Sequence, residues 1–124
     1  MTNAEKAVNN HKDFFSCSAS VLCAFCDEAG LTAQEAKTAS MPFAGGKMGK
    51  CGAVLAAEYV IDRKFGDRAD ELKQRFEHEF TEMNRSVVCK ELKGSLTGKP
   101  LRSCRGCVTD AAELLDKLIN EETV

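Results

Sequence analysis

The chain has 124 residues, enough for one domain with a single core that buries roughly two-thirds of the unfolded surface. Hydrophobic content of 44% beside 29% charged residues is that of an ordinary globular protein. A formal charge of −2 with no Trp and one Tyr argues against a nucleic-acid or membrane surface as partner. The N-terminal MTNAEKAVNN lacks the basic and apolar regions of a secretory signal. No stretch reaches the roughly eighteen apolar residues of a membrane span, so the expected location is cytoplasmic. In that reducing compartment seven cysteines point to chemistry rather than a purely structural disulfide framework. Their odd number leaves at least one thiol unpaired in any scheme.

In chain order, helical periodicity first marks residues 4–29, with Phe14, Val21, Leu22 and Phe25 on one face. Cys17 falls at the edge of that stripe, Cys23 nearly opposite it and Cys26 on the boundary, and Gly30 ends the helix. Thr32-Ala33-Gln34-Glu35 is a capping box opening a short helix to Ser40, which Met41-Pro42 stops. A glycine-rich approach (Gly45, Gly46, Gly49) then delivers Cys51 to the start of a helix running to Phe65, closed by Gly66. Asp67 is expected to cap the next helix, which ends near Met83 and aligns Leu72, Phe76, Phe80 and Met83. Its His78 projects to the charged side, and His11 lies near a frayed end, so neither is a good metal ligand. Ser86 reads as the cap of a short helix with Cys89 at its third position, ended by Gly94. Ser103 caps the last helix, 104–121, whose apolar stripe is Cys104, Val108, Ala111, Leu115, Leu118 and Ile119, with Cys107 inside its edge. No segment alternates with period two for long enough to make a strand. The expected architecture is all-α, a compact bundle of five or six helices in a single domain over residues 1–124.

Cys51, Cys89 and Cys104 share a place in the first turn of a helix, where unpaired N–H groups and the helix dipole favour a thiolate. Joined by Cys17, they would form one thiolate-stabilising pocket, with Lys50, Arg85, Lys90, Arg102 and Arg105 nearby to lower the thiol pKa values further. The competing reading is that the four are packing residues and the cations are solvated. The pairs Cys23/Cys26 and Cys104/Cys107 are Cys-x-x-Cys units. Their long separation and the mid-helix place of the first weaken a four-thiolate zinc reading. Neither is followed by His, which excludes haem attachment. Gly45-Gly46-Lys47-Met48-Gly49-Lys50 fails as a phosphate loop: it is one residue short, ends on Cys51 rather than Ser/Thr, and follows no strand. No nucleotide is expected. Gly46, Gly49 and Gly52 are instead candidates for letting the backbone pass close to whatever the pocket holds.

Cys17 before an apolar helix, the glycine-rich lead into Cys51-Gly52-Ala53, Cys89 in its short helix and Cys104 before Val108 resemble the C-GCAxxG-C-C family. These are small bacterial and archaeal proteins regarded as redox-active and defined by four cysteines and a Cys-Gly-Ala-x-x-Gly signature. The resemblance runs from about Phe14 to Leu118 and implies that Cys17, Cys51, Cys89 and Cys104 are the functional set, with Cys107 as the alternative to Cys104. Ala56 stands where the signature has its last glycine, and its methyl would narrow any cavity there. Cys23, Cys26 and Cys107 are additional to the four.

The leading expectation is a redox-active protein whose clustered cysteines either exchange thiol and disulfide or hold an iron–sulfur cluster. It would serve a redox partner protein or a small-molecule electron donor. A zinc- or other metal-binding module without turnover comes second, and a helical interaction domain with packing cysteines third.

Overall fold

The computed structural model describes residues 2–46, 48–94 and 98–122. Among them are eight α-helical segments: α1 (Asn3–Lys12), α2 (Cys17–Ala24), α3 (Cys26–Ala29), α4 (Ala33–Ser40), α5 (Gly52–Phe65), α6 (Ala69–Asn84), α7 (Cys89–Lys93) and α8 (Cys104–Glu122). Six of them are two turns or longer, and α3 and α7 are about one turn each. The fold is all-α, as expected. The β-type pairing is an isolated antiparallel bridge, Lys50 with Val88. No helix among the described residues is long and apolar enough to cross a membrane.

Two helices form the middle. α5 buries residues on nearly every side, from Gly52 and Ala53 through Val54, Ala56, Ala57 and Glu58 to Val60 and Ile61, as a helix enclosed by neighbours must. It packs on α2, α6 and α8, and α2 packs on α1, α4, α5 and α8. The largest wholly buried side chains are Phe25, Phe76 and Phe80, joined by Leu22, Ile61 and Leu72. Ala56 is wholly buried in this core and does not border the cysteine cavity described below.

The expected first helix, 4–29, is three helices. α1 stops at Asp13, and the N–H groups of Phe14 and Phe15 turn back to the carbonyls of His11 and Asn10, each at 3.1 Å. This is a Schellman ending, in which the residue after the cap is left-handed. Phe14 takes that place at φ 69° where glycine is usual, at a cost of about 1 kcal/mol or more, so the customary stop signal is missing. The Ser16 hydroxyl then caps α2 by accepting the Ala19 N–H at 3.2 Å. The break swings Phe14 off the expected apolar stripe and leaves it 98% exposed.

Smaller departures have equally local causes. A 3₁₀ turn, Gly66–Arg68, absorbs Asp67, and α6 begins without a side-chain cap. Met83, in the last turn of α6, is exposed. Ser86 does not cap α7 from the position expected. Its hydroxyl accepts the Val88 N–H at 2.9 Å, so α7 starts later and Cys89 is its first residue rather than its third. The capping box at Thr32, the helix ends at Gly30 and Gly94, and the start of α8 after Ser103 match the sequence.

Candidate functional site: a five-thiol cavity

The structure opens α2, α7 and α8 each on a cysteine, with Cys17, Cys89 and Cys104 as first helical residues, and places Cys51 at the N-cap of α5. The α1–α2 break is what moves Cys17 from mid-helix to a helix start. All four border one small cavity together with Cys107, one turn into α8. Its volume is about 10 Å³, room for a single water. Cys51, Cys89 and Cys107 are buried, Cys17 is half-buried and Cys104 is exposed. Phase explains the last: Cys107, not Cys104, continues the buried face of α8 through Val108, Ala111 and Leu115.

Backbone pairing brings α5 and α7 together. The Cys51 N–H donates to the Val87 carbonyl at 2.7 Å and the Cys89 N–H to the Gly49 carbonyl at 2.9 Å. These two bonds flank the Lys50–Val88 bridge. With side chains alternating along each strand of the bridge, Cys51 and Cys89 share its inner face and Lys50 leaves on the other. Gly49 sits opposite Cys89 at φ +89°. Gly46 ends a 3₁₀ turn over Met41–Gly46, and Lys47 of the glycine-rich loop lies outside the described residues.

Gly52 has a more exacting duty. A Cβ there would lie 2.6 Å from the Cys17 sulfur and 2.8 Å from the Phe43 carbonyl oxygen. The bare first turn of α5 is therefore the seat of the Cys17 thiol, which explains a glycine directly after Cys51. Across the cavity, the Arg102 side chain lies over Gly106 and donates from Nε to Asp110 Oδ2 at 3.1 Å. The Leu101 and Arg102 N–H groups donate to the Leu92 carbonyl, tying the lead into α8 to α7.

The electrostatics single out Cys51. The neighbouring Cys107 thiol is the main reason that the Cys51 pKa falls to about 7. Burial opposes the shift, while the Val54 and Ala53 N–H groups and the Lys93 ammonium add to it. Neither N–H makes a formed capping bond, so their contribution is one of direction. Cys107 is pushed up, first by its neighbour Cys51 and then by burial. Of the two, Cys51 is the readier to ionise. Lys93, on the face of α7 one turn beyond Cys89, is raised by the Cys89, Cys104 and Cys17 sulfurs. Sequence reasoning passed over Lys93, although its spacing of four from Cys89 was the available signal.

Lys50 does not serve Cys51 as expected. Its ammonium pairs with Glu77 Oε2 at 2.6 Å on the far side of the bridge. Arg105 donates from Nε to His11 Nδ1 at 3.3 Å, and burial lowers the His11 pKa. His78 pairs with Glu82 on the exposed face of α6. Cys23 and Cys26 stand apart from the cavity. Cys23 borders a separate groove beside Ala33 and Lys37, and burial raises its pKa. Its sulfur lies 3.9 Å from the Ala33 carbonyl oxygen, a weak contact with little to lose. Cys23→Ser is expected to change stability by no more than about 0.5 kcal/mol in denaturant unfolding, and a loss several times larger would contradict this placement.

The sequence profile of C-GCAxxG-C-C, described as "Putative redox-active protein", matches residues 15–118. The chain belongs to the C-GCAxxG-C-C family. No curated protein and no solved structure matches it. The family's Cys-Gly step is thereby given a physical basis in this member, since Gly52 makes the space that the Cys17 sulfur fills.

Five thiols have the donor chemistry of an iron or zinc site. Among the described residues, however, no three ligating side chains stand close enough to share an ion. Binding a metal or cluster here would require the sulfurs to rearrange.

Proposed function

We propose that the chain is a thiol–disulfide exchange protein in which Cys51 is the attacking thiolate and Cys107 the resolving thiol. The observation that carries this reading is that Cys51, at the start of α5, and Cys107 line one small cavity, where the Cys51 pKa is lowered and that of Cys107 raised. The Cys51 thiolate attacks one sulfur of a substrate disulfide. The S–S bond breaks, one substrate half leaves as thiolate, and a mixed disulfide remains on Cys51. Cys51 is then uncharged, which removes the main force raising Cys107. Cys107 loses its proton and attacks the Cys51 sulfur, expelling the second substrate half. The Cys107 proton leaves with the products. Two electrons have reduced one substrate disulfide to one thiol and one thiolate, and the protein holds a Cys51–Cys107 disulfide.

A pKa near 7 suits such an attacker, because about half the group is ionised near neutral pH while the thiolate keeps much of its intrinsic nucleophilicity. The test is alkylation of reduced, metal-free protein by a small neutral reagent, followed at each cysteine by mass spectrometry. The Cys51 rate should reach half its plateau near pH 7, and Cys107→Ser should move that midpoint upward, since a serine hydroxyl is a poorer partner for a thiolate. Cys23, raised by burial, should still be gaining rate at pH 9. A Cys51 that is protected at every pH would make it a packing residue and end this reading. Retention of stoichiometric iron or zinc after purification without oxygen would favour the metal-binding reading, which the five-thiol donor set supports.

A further inference from the structure

The chain's charge is unevenly distributed. Residues 85–107, which supply Cys89, Cys104 and Cys107, carry six cations (Arg85, Lys90, Lys93, Lys99, Arg102, Arg105) against one carboxylate, Glu91. That segment is formally +5 in a chain of −2, which leaves the remaining residues at −7. All six cations are exposed, and Lys93 and Arg102 border the thiol cavity itself, Arg102 already paired with Asp110 just beyond the segment. The Glu91 carboxylate accepts from the Ser86 hydroxyl. Lys93 shares the cavity lining with the sulfurs of Cys17, Cys89 and Cys104. An incoming carboxylate thus meets a cation whose neighbours are soft and weakly competing acceptors.

Resting on the thiol–disulfide reading above, we propose that the substrate is an anionic disulfide, one bearing carboxylates close to its sulfur–sulfur bond. The cavity, at about 10 Å³, cannot enclose a substrate, so only the reacting sulfur enters and the rest of the molecule lies against the cationic rim. There the field of the segment raises the local concentration of anions and their rate of encounter. The same field favours the thiolate that leaves in the first step, because each expelled half is itself an anion. The surplus of negative charge on the remainder of the chain orients an anionic substrate toward this end and away from the others.

The probes are three disulfides of different charge: dithiobis-nitrobenzoate, anionic; dithiodipyridine, neutral; and cystamine, cationic. Each is mixed with reduced full-length protein and followed at Cys51 by mass spectrometry. Each rate is divided by the rate of the same probe with mercaptoethanol at the same pH. At low salt the anionic probe should exceed the cationic one by about tenfold or more, and the ratio should fall toward one near 1 M salt. Lys93→Glu should reduce the ratio several-fold. Because Lys93 also touches the thiols, a Lys90→Glu, Lys99→Glu double variant outside the cavity lining tests the field alone, and a several-fold reduction is expected there too. Equal normalised rates at low salt, or a preference indifferent to both salt and the variants, would overturn the proposal. A neutral probe that reacts no faster than it does with mercaptoethanol would instead defeat the thiol–disulfide reading, and the charge ratio would still be read separately.

Discussion

Replacing Gly52 by alanine is expected to destabilise the fold by about 1–3 kcal/mol, although the same change in an open helix stabilises it by up to about 1 kcal/mol. The reversal follows from what the added methyl meets. The Cys17 sulfur lies 2.6 Å away, the Phe43 carbonyl oxygen 2.8 Å and the Ser18 Cβ 3.3 Å. The sulfur can rotate, but the carbonyl belongs to the backbone and can yield only if the 3₁₀ turn shifts. Urea unfolding of the reduced protein measures the loss, and alkylation of Cys17 should quicken as its sulfur is pushed outward. A variant as stable as the parent, with Cys17 unchanged in reactivity, would mean that the sulfur does not rest on the first turn of α5.

The second large effect concerns a carboxyl the cavity does not use. Glu58 is buried on α5. Burial first, and then the neighbouring Glu77 carboxylate, raises its pKa to about 8, while Glu77 is lowered by the same pairing. The folded state therefore keeps a proton that the unfolded chain gives up at ordinary carboxyl values. Stability falls as pH climbs from about 4.5 to about 8, because the unfolded state binds fewer protons across that window. Glu58→Gln keeps a donor toward Glu77 and cannot ionise. It should match the parent below about pH 4.5 and exceed it above pH 8 by on the order of 2 kcal/mol, part of the cost being returned by Glu77. Cys51 titrates in both proteins and cancels from the difference. Parallel stability curves across this range would show that Glu58 reaches solvent and ionises normally.

The all-helical architecture was legible in the sequence because apolar residues recur at helical spacing and because the capping box at Thr32 and the glycines at 30, 66 and 94 are local signals. The breaks were harder to read. A left-handed Phe14 carries no signature that distinguishes it from a helical phenylalanine, so α1 and α2 read as continuous, and Cys17 was given a mid-helix position. Cys51, Cys89 and Cys104 were read at helix starts and Cys17 on an inward edge; all four line one cavity, Cys104 from an exposed position. The role of Cys107 did not, because one turn along α8 separates a rim residue from a buried one, and small errors in phase decide between them. Lys50 was misassigned for a different reason. Adjacency in sequence to Cys51 suggested proximity, whereas the bridge sends alternate side chains to opposite faces. No local pattern announces a two-bond clasp between residues 36 or more apart in the chain.

That clasp makes the thiol site a matter of measured lengths. Between its halves the chain travels out along α5 and back along α6, over 14 and 16 residues, or about 21 Å and 24 Å. The two legs are close enough to equal that their far ends meet, and Cys51 and Cys89 meet with them. A residue inserted into either leg would advance the helix by about 1.5 Å and turn it through about 100°, bringing the wrong backbone groups to the clasp. A residue inserted into the turn at Gly66–Arg68 would be taken up at the opposite end of the hairpin. Chain length is thus free to vary at the turn and fixed along the legs, and it is the ruler, more than any residue at the cavity, that keeps the sulfurs in register.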